Sequence, residues 1–208
     1  MTRALPAPGD TPRRALPVPG GPVCLDVPGR ALLLVAGVPG AGKSTLLRRL
    51  PPGDGVRVLD SEVQRAVLGR VFPGMPYPRL RPWVHLLHRL AVVAAACGAA
   101  PTVVVHLPAT GRGLRSAVVV LARLTGRTPH LLWIEAPAGE ALRGQAERGR
   151  VVERGSFARH VARAEGVASR IRGDGLGEGW VGETALERRE AAAGLALARS
   201  AASADPRR

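Results

Sequence analysis

The chain has 208 residues, 46% of them hydrophobic, enough for one domain with a substantial core. A formal charge of +14 invites a polyanionic partner, but the arginines are spread along the whole length and aromatic residues make up only 3%, so a dedicated nucleic-acid surface is not favoured. Cys24 and Cys97 match no metal or redox spacing, and the longest apolar stretch, Leu90 to Val105, is broken by Gly98 and Pro101, which excludes a spanning helix. With no apolar signal core near the N-terminus, the expectation is a cytoplasmic protein with no membrane partner.

Residues 1–22 are rich in proline and read as an extended, disordered arm. Val23 to Asp26 fits a short edge strand, and Ala31 to Ala36 is a continuous apolar run of the kind a central parallel strand needs. Ser44 to Leu50 reads as helix, stopped by Pro51-Pro52-Gly53. Val56 to Asp60 is a second short strand, followed by a helix from Ser61 to about Arg70. Four prolines predict a loop over Val71 to Pro82, then a long helix from about Trp83 to Gly98. Strand Thr102 to His106, helix Thr110 to Thr125, strand His130 to Glu135 and helix Ala138 to Glu147 continue the alternation. Ser156 to Arg172 reads as helical, Gly173 to Gly179 as turns, and Trp180 to Leu186 as a last strand or a helix start. The predicted class is α/β, a doubly wound parallel sheet in a folded unit over 23–190, with a frayed helix end and tail over 191–208.

The chain has one lysine, Lys43, and it lies in Gly37-Val38-Pro39-Gly40-Ala41-Gly42-Lys43-Ser44. This matches G-x-x-x-x-G-K-[ST], a loop whose backbone N–H groups cradle phosphates. A strand leads in and a helix leads out, as the motif requires. Retention of lysine in an arginine-rich chain has a geometric reason: an ammonium reaches into the loop as a point charge, whereas a planar guanidinium is bulkier. Lys43 is expected to bridge the terminal phosphates of ATP and Ser44 to ligate Mg²⁺, with Thr45 near the α-phosphate.

A nucleotide site of this kind needs a carboxylate on a neighbouring strand end, and Asp60 and Glu62 are both placed for it. Asp60 also suits a helix cap, and the two roles can coexist. The strand Val103-Val104-Val105 ends in His106, with no carboxylate there; His106 is a candidate to bind substrate or to serve as a structural imidazole. Arg148 and Arg150, among Arg143, Arg148, Arg150 and Arg154, are candidates for a lid that meets charge on the transferred phosphoryl group. Arg65, Arg112 and Arg115 are candidates for acceptor binding. His85 and His88 lie one helical turn apart, but no third metal ligand accompanies them.

The order of these features resembles the small kinase-like P-loop proteins labelled AAA-domain ATPases, related to polynucleotide kinase and zeta toxin. The matching pieces are Gly37 to Thr45, Val58-Leu59-Asp60-Ser61-Glu62 with Arg65, Val104-Val105-His106 followed by Thr110, and Gln145 to Arg150 leading into Ser156 to His160. The resemblance implies a P-loop NTPase with a parallel five-stranded sheet flanked by helices, a short arginine-rich lid, and phosphorylation of a hydroxyl by ATP. It also implies an Asp base with an Arg three positions on, a spacing that falls on Glu62 and Arg65, whereas the strand-end position favours Asp60. The leading expectation is a phosphotransferase acting on a small-molecule or nucleotide-like hydroxyl. A catalytically weak ATP-binding regulator and a nucleic-acid-binding ATPase are the alternatives.

Overall fold

A computed structural model describes residues 21–27, 29–51, 53, 55–147 and 153–198. The strands are β1 (Val23–Asp26), β2 (Ala31–Gly37), β3 (Val56–Leu59), β4 (Thr102–His106), β5 (Thr128–Glu135), β6 (Gly182–Glu187) and β7 (Leu195–Ala198). The helices are α1 (Lys43–Arg48), α2 (Glu62–Val71), α3 (Tyr77–Cys97), α4 (Arg112–Leu124), α5 (Ala138–Ala146), α6 (Arg154–Ala164), α7 (Val167–Arg172) and α8 (Arg188–Ala192).

Five strands form one sheet in the order β3-β4-β2-β5-β6, every pairing parallel. All seven residues of β2 are buried, because this strand lies mid-sheet with a layer of side chains on each face. The two-residue alternation of a strand divides its side chains between two cores. Leu32, Leu34 and Ala36 pack with Val92 of α3, Val118 of α4 and Ile171 of α7. Leu33 and Val35 pack on the opposite face with Leu46 of α1, Ala141 of α5 and Phe157 of α6. Burying each such leucine contributes about 2 kcal/mol. The consequence for function is positional: the carboxyl ends of β3, β4 and β2 stand in a row, and the loops leaving them share one edge of the sheet.

Four departures from the sequence reading have physical causes. The stretch expected as a loop is helical from Tyr77, since Pro78 occupies the first turn, where its missing N–H costs nothing, and Pro82 falls inside the helix but near its start. Ser156 to Arg172 is not one helix; Gly166, at φ 73°, breaks it into α6 and α7. Val23–Asp26 does not edge the main sheet but pairs in parallel with β7 in a separate two-stranded sheet. That pairing orders Leu195–Ala198, within the segment expected to be frayed.

Candidate functional site at the carboxyl edge of the sheet

The Gly37–Ser44 loop begins where β2 ends and closes on the first turn of α1. Gly37 and Gly40 adopt φ 139° and 93°, and a Cβ on either would strike backbone, the Ile134 carbonyl oxygen in one case and that of Ala141 in the other. Only glycine satisfies both constraints. Gly42 caps α1 at φ 105° with no side-chain hydrogen bond, and the first turn holds no acidic residue, so the partial positive charge of the helix end is left uncompensated by side chains of that turn. Lys43 is only 5% exposed, and its Nζ donates to the carbonyl oxygens of Gly37 and Val38, both at 2.8 Å. Gln145 Nε2 donates to the Pro39 carbonyl at 3.0 Å and thereby ties α5 to the loop.

Arg188, which the sequence did not single out, lies against this loop. Its guanidinium is close to Gly144 and donates to the Glu140 carbonyl, and its stem passes Gly42. Beside it a cleft of about 470 Å³ opens between the ends of β5 and β6, lined by Glu135, Pro137, Glu140, Glu187 and Arg189 among others. Glu135, at the end of β5, pairs with Arg172 at 2.8 Å.

On the other side of the loop stand the ends of β3 and β4. Asp60 Oδ1 accepts from the Glu62 N–H at 3.2 Å, so it does cap α2, and His106 Nδ1 lies 3.0 Å from the same oxygen. The ring nitrogen is near but off the line of an aligned hydrogen bond, so the pair is a close polar contact. Burial alone raises the Asp60 pKa, but the His106 contact, the His106 charge and the Glu62 N–H outweigh it and hold the carboxyl below its usual value. Behind them His88 of α3 is 1% exposed and donates from Nε2 to the His106 carbonyl at 3.2 Å. That assignment leaves Nδ1 as the bare nitrogen of a neutral ring, and it has no hydrogen-bond partner among the described residues. His88, for which the sequence offered no metal partner, is the buried support beneath the Asp60–His106 pair.

Across the mouth, Thr110 Oγ1 and His160 Nδ1 of α6 share a hydrogen bond of 2.8 Å. Burial and then the charges of Arg163, Lys43 and Arg81 lower the His160 pKa, which places this imidazole in the electrostatic field of the loop lysine. Arg115, expected to meet an acceptor, does not face one. It is 3% exposed, forks onto Glu178 at 2.8 and 2.7 Å, and donates to the carbonyls of Ala109 and Thr110. Its donors are thus used to hold the turn at Ala109, the one non-glycine described residue at positive φ. Arg112 is exposed beside it, Glu62 is half-buried in the first turn of α2, and Arg65 stacks 4.4 Å over the Tyr77 ring. Arg148 and Arg150 lie outside the described residues.

Four histidines, His85, His88, His130 and His160, have pKa values lowered from 6.5, burial being the largest cause in each. A folded state that resists protonation loses stability wherever the unfolded chain takes up protons first. The full contribution is therefore present above pH 6.5 and is lost as pH falls below it. Thermal melts from pH 7.5 to 5.5 should show a falling Tm, and His88→Gln, which cannot titrate but still donates to His106, should flatten that slope. An identical slope in the variant would remove His88 from the account.

Comparison with known proteins agrees with this geometry. A family model described as an AAA domain, AAA_33, matches residues 32–174. No curated protein matches the chain. A gluconokinase from Sinorhizobium meliloti 1021 has a similar structure, with a TM-score of 0.50 at 17% identity over 81% of this chain and 92% of its own. A protein from Chloroflexus aurantiacus j-10-fl, described only provisionally as a kinase, gives a TM-score of 0.52 at 16% identity over 76% of this chain and 88% of its own. At such identities the likeness establishes the fold, a parallel five-stranded P-loop sheet flanked by helices.

Proposed function

The chain belongs to the AAA domain family AAA_33, whose match spans the loop, Asp60 and α6, and from that premise we propose that it is an ATP-dependent phosphotransferase. Its acceptor on this reading is a hydroxyl of a small molecule or a nucleotide-like compound. The observation that carries the proposal is the row of groups on three adjacent strand ends. Lys43 ends the loop that leaves β2, His106 ends β4, and Asp60 follows β3, with the hydrogen-bonded pair Thr110 and His160 alongside. The kinase descriptions of both structural neighbours support the same reading.

On this reading Gly37, Val38, Pro39, Gly40, Ala41, Gly42 and Thr45 enclose the phosphates, and Lys43 bridges the terminal two. The cleft beside Arg188 receives the nucleoside end. Asp60, held ionised by His106 and the Glu62 N–H, accepts the proton of the acceptor hydroxyl. The hydroxyl oxygen then bonds to the γ-phosphorus while the bond to the bridging oxygen breaks, leaving ADP. Arg112 and Arg65 are available to the acceptor, and Arg148 and Arg150 remain assigned to a lid. The donor set fits Mg²⁺ that arrives with the nucleotide: Ser44 supplies one hydroxyl, and no cluster of three acidic, histidine or cysteine ligands exists among the described residues to hold a resident ion. Bound there, Mg²⁺ would neutralise phosphate charge.

Turnover of Mg²⁺-ATP against a panel of sugar, nucleoside and amino-sugar acceptors tests the reading. Asp60→Ala should lower kcat by about 10²-fold or more while ATP affinity changes little, and Glu62→Ala should keep most of the rate. The reverse pattern moves the base to Glu62. A second reading, a slow nucleotide-binding regulator, is favoured by the absence of a carboxylate at His106, and it prevails if no acceptor is phosphorylated.

A further inference from the structure

The outward faces of α2 and α3 carry an apolar surface that phosphoryl transfer does not require. Of the 16 large apolar side chains exposed among the described residues, 12 lie between Val58 and Val93. On α3 the inward positions Leu80, Val84 and Val92 are buried, as an amphipathic helix requires. Yet the opposite side presents Trp83 at 59% exposure, Leu86, Leu90 at 57% and Val93, at i, i+3, i+7 and i+10. On α2 only Leu68 is buried, while Val63, Val67 and Val71 form a second exposed stripe at i, i+4 and i+8. A helix that is apolar inside and out has a partner for its outer stripe.

Charge selects that partner. From residue 61 to 100 the chain has a single carboxylate, Glu62, against Arg65, Arg70, Arg79, Arg81 and Arg89. A second copy of the chain would bring the same five arginines against these, with one carboxylate to offset them. An acidic amphipathic peptide would meet the charge, but a peptide helix docks in a groove, and the stripe residues stand well exposed, Val63 at 62% and Trp83 at 59%. An anionic bilayer meets both requirements. Its apolar boundary accepts an exposed apolar helix face, its headgroup level suits tryptophan, and arginine stems lie along apolar surface while their heads stay among phosphates.

We propose that the outward face of α2 and α3 is a peripheral docking surface for membranes containing anionic phospholipid. The helices would lie in the plane of the interface, since no helix among the described residues is long and apolar enough to cross a membrane. Because α2 starts directly after Asp60 and Ser61, docking would hold the candidate site next to the lipid surface. On this proposal the contact with a membrane is peripheral only, in contrast to the expectation of no membrane partner drawn from the sequence.

Flotation of the full chain with vesicles tests this, using equimolar phosphatidylcholine and phosphatidylglycerol against phosphatidylcholine alone. The protein should float with the mixed vesicles, not with the neutral ones, and less as salt rises. Tryptophan emission should shift to the blue on binding, a shift that Trp83→Phe should remove. Trp83→Glu with Leu90→Glu should weaken binding more than about tenfold, and Arg79→Glu or Arg89→Glu about fivefold or more each. Leu124→Glu, on the exposed side of α4, should bind as the unaltered chain does. The proposal is overturned by absence of binding, by equal binding to neutral vesicles, or by indifference to the Trp83 and Leu90 changes. It is also overturned if gel filtration shows a dimer that those changes dissolve, which would assign the face to a second copy. Vesicle binding is read without nucleotide, so it stands or falls separately from ATP turnover.

Discussion

Lys43→Met should abolish phosphoryl transfer, lowering kcat/KM by about 10²- to 10³-fold, and should weaken ATP binding. The substitution keeps the length of an unbranched stem and deletes only the ammonium. That ammonium is the positive side-chain charge placed within the loop, 2.8 Å from each of two loop carbonyls and almost wholly buried. Removing it leaves the phosphate site with backbone N–H groups and the partial charge of a short helix end, which count for less than a full charge in a water-poor loop. Lys43→Arg is the sharper variant. In a chain that uses arginine at 29 of its 30 basic positions, the guanidinium should fail here because its planar head cannot enter a space that seats one nitrogen between two carbonyl oxygens. Isothermal titration with ATP and steady-state turnover measure both variants. ATP bound by Lys43→Met as tightly as by the unaltered chain would sink the nucleotide reading, and full activity of Lys43→Arg would sink the geometric account of why lysine is kept.

The loop was legible in the sequence because every part of it is local. Strand, glycines, lysine and helix follow one another without a gap, and the glycine requirement comes from backbone neighbours such as Ile134 that a parallel sheet supplies. The parallel sheet was legible from the same local alternation of strands and helices, whereas the strand order was not. Partners distant in sequence were not legible. Arg112 and Arg115 look alike in the chain, and only the fold brings Glu178 to Arg115 across 63 positions, turning an expected acceptor ligand into a brace for the Ala109 turn. His88 and His106 are 18 positions apart on separate elements, and nothing in their spacing announces a contact with Asp60. The strand at Leu195 was obscured for a related reason: Leu-Ala-Leu-Ala is only four residues long in an alanine-rich tail and becomes a strand by pairing with β1.

Arg127 is the extreme case of such a hidden partner, and its loss should cost the most stability. It sits in the turn between α4 and β5, 3% exposed, with no feature in the sequence to mark it among 29 arginines. Its Nε donates to the Ala96 carbonyl at 2.7 Å, Nη1 to those of Ala100 and Pro101 at 2.8 and 3.0 Å, and Nη2 to that of Gly98 at 2.9 Å. These carbonyls lie at the end of α3 and in the turn leading into β4, where a helix terminus must find partners by some other means; Pro101 also accepts from the Ala31 N–H and Gly98 from Arg30. One guanidinium therefore joins three elements, and its planar fork is the reason arginine is required. Burial, then the charge of Arg30, lowers its pKa, so the site exacts a cost for charge that the carbonyl bonds must offset. Arg127→Met removes the donors and strands the Ala96 and Ala100 carbonyls, while Pro101 keeps the Ala31 N–H and Gly98 keeps Arg30; the expected loss is about 2 kcal/mol, a Tm drop of about 4 to 8 °C for a chain of this size. Arg127→Lys should recover part of this, because one ammonium has three hydrogens and cannot span the same acceptors. Urea unfolding and calorimetry read both variants, and a loss below about 1 kcal/mol in Arg127→Met would show that water satisfies those carbonyls as well as arginine does.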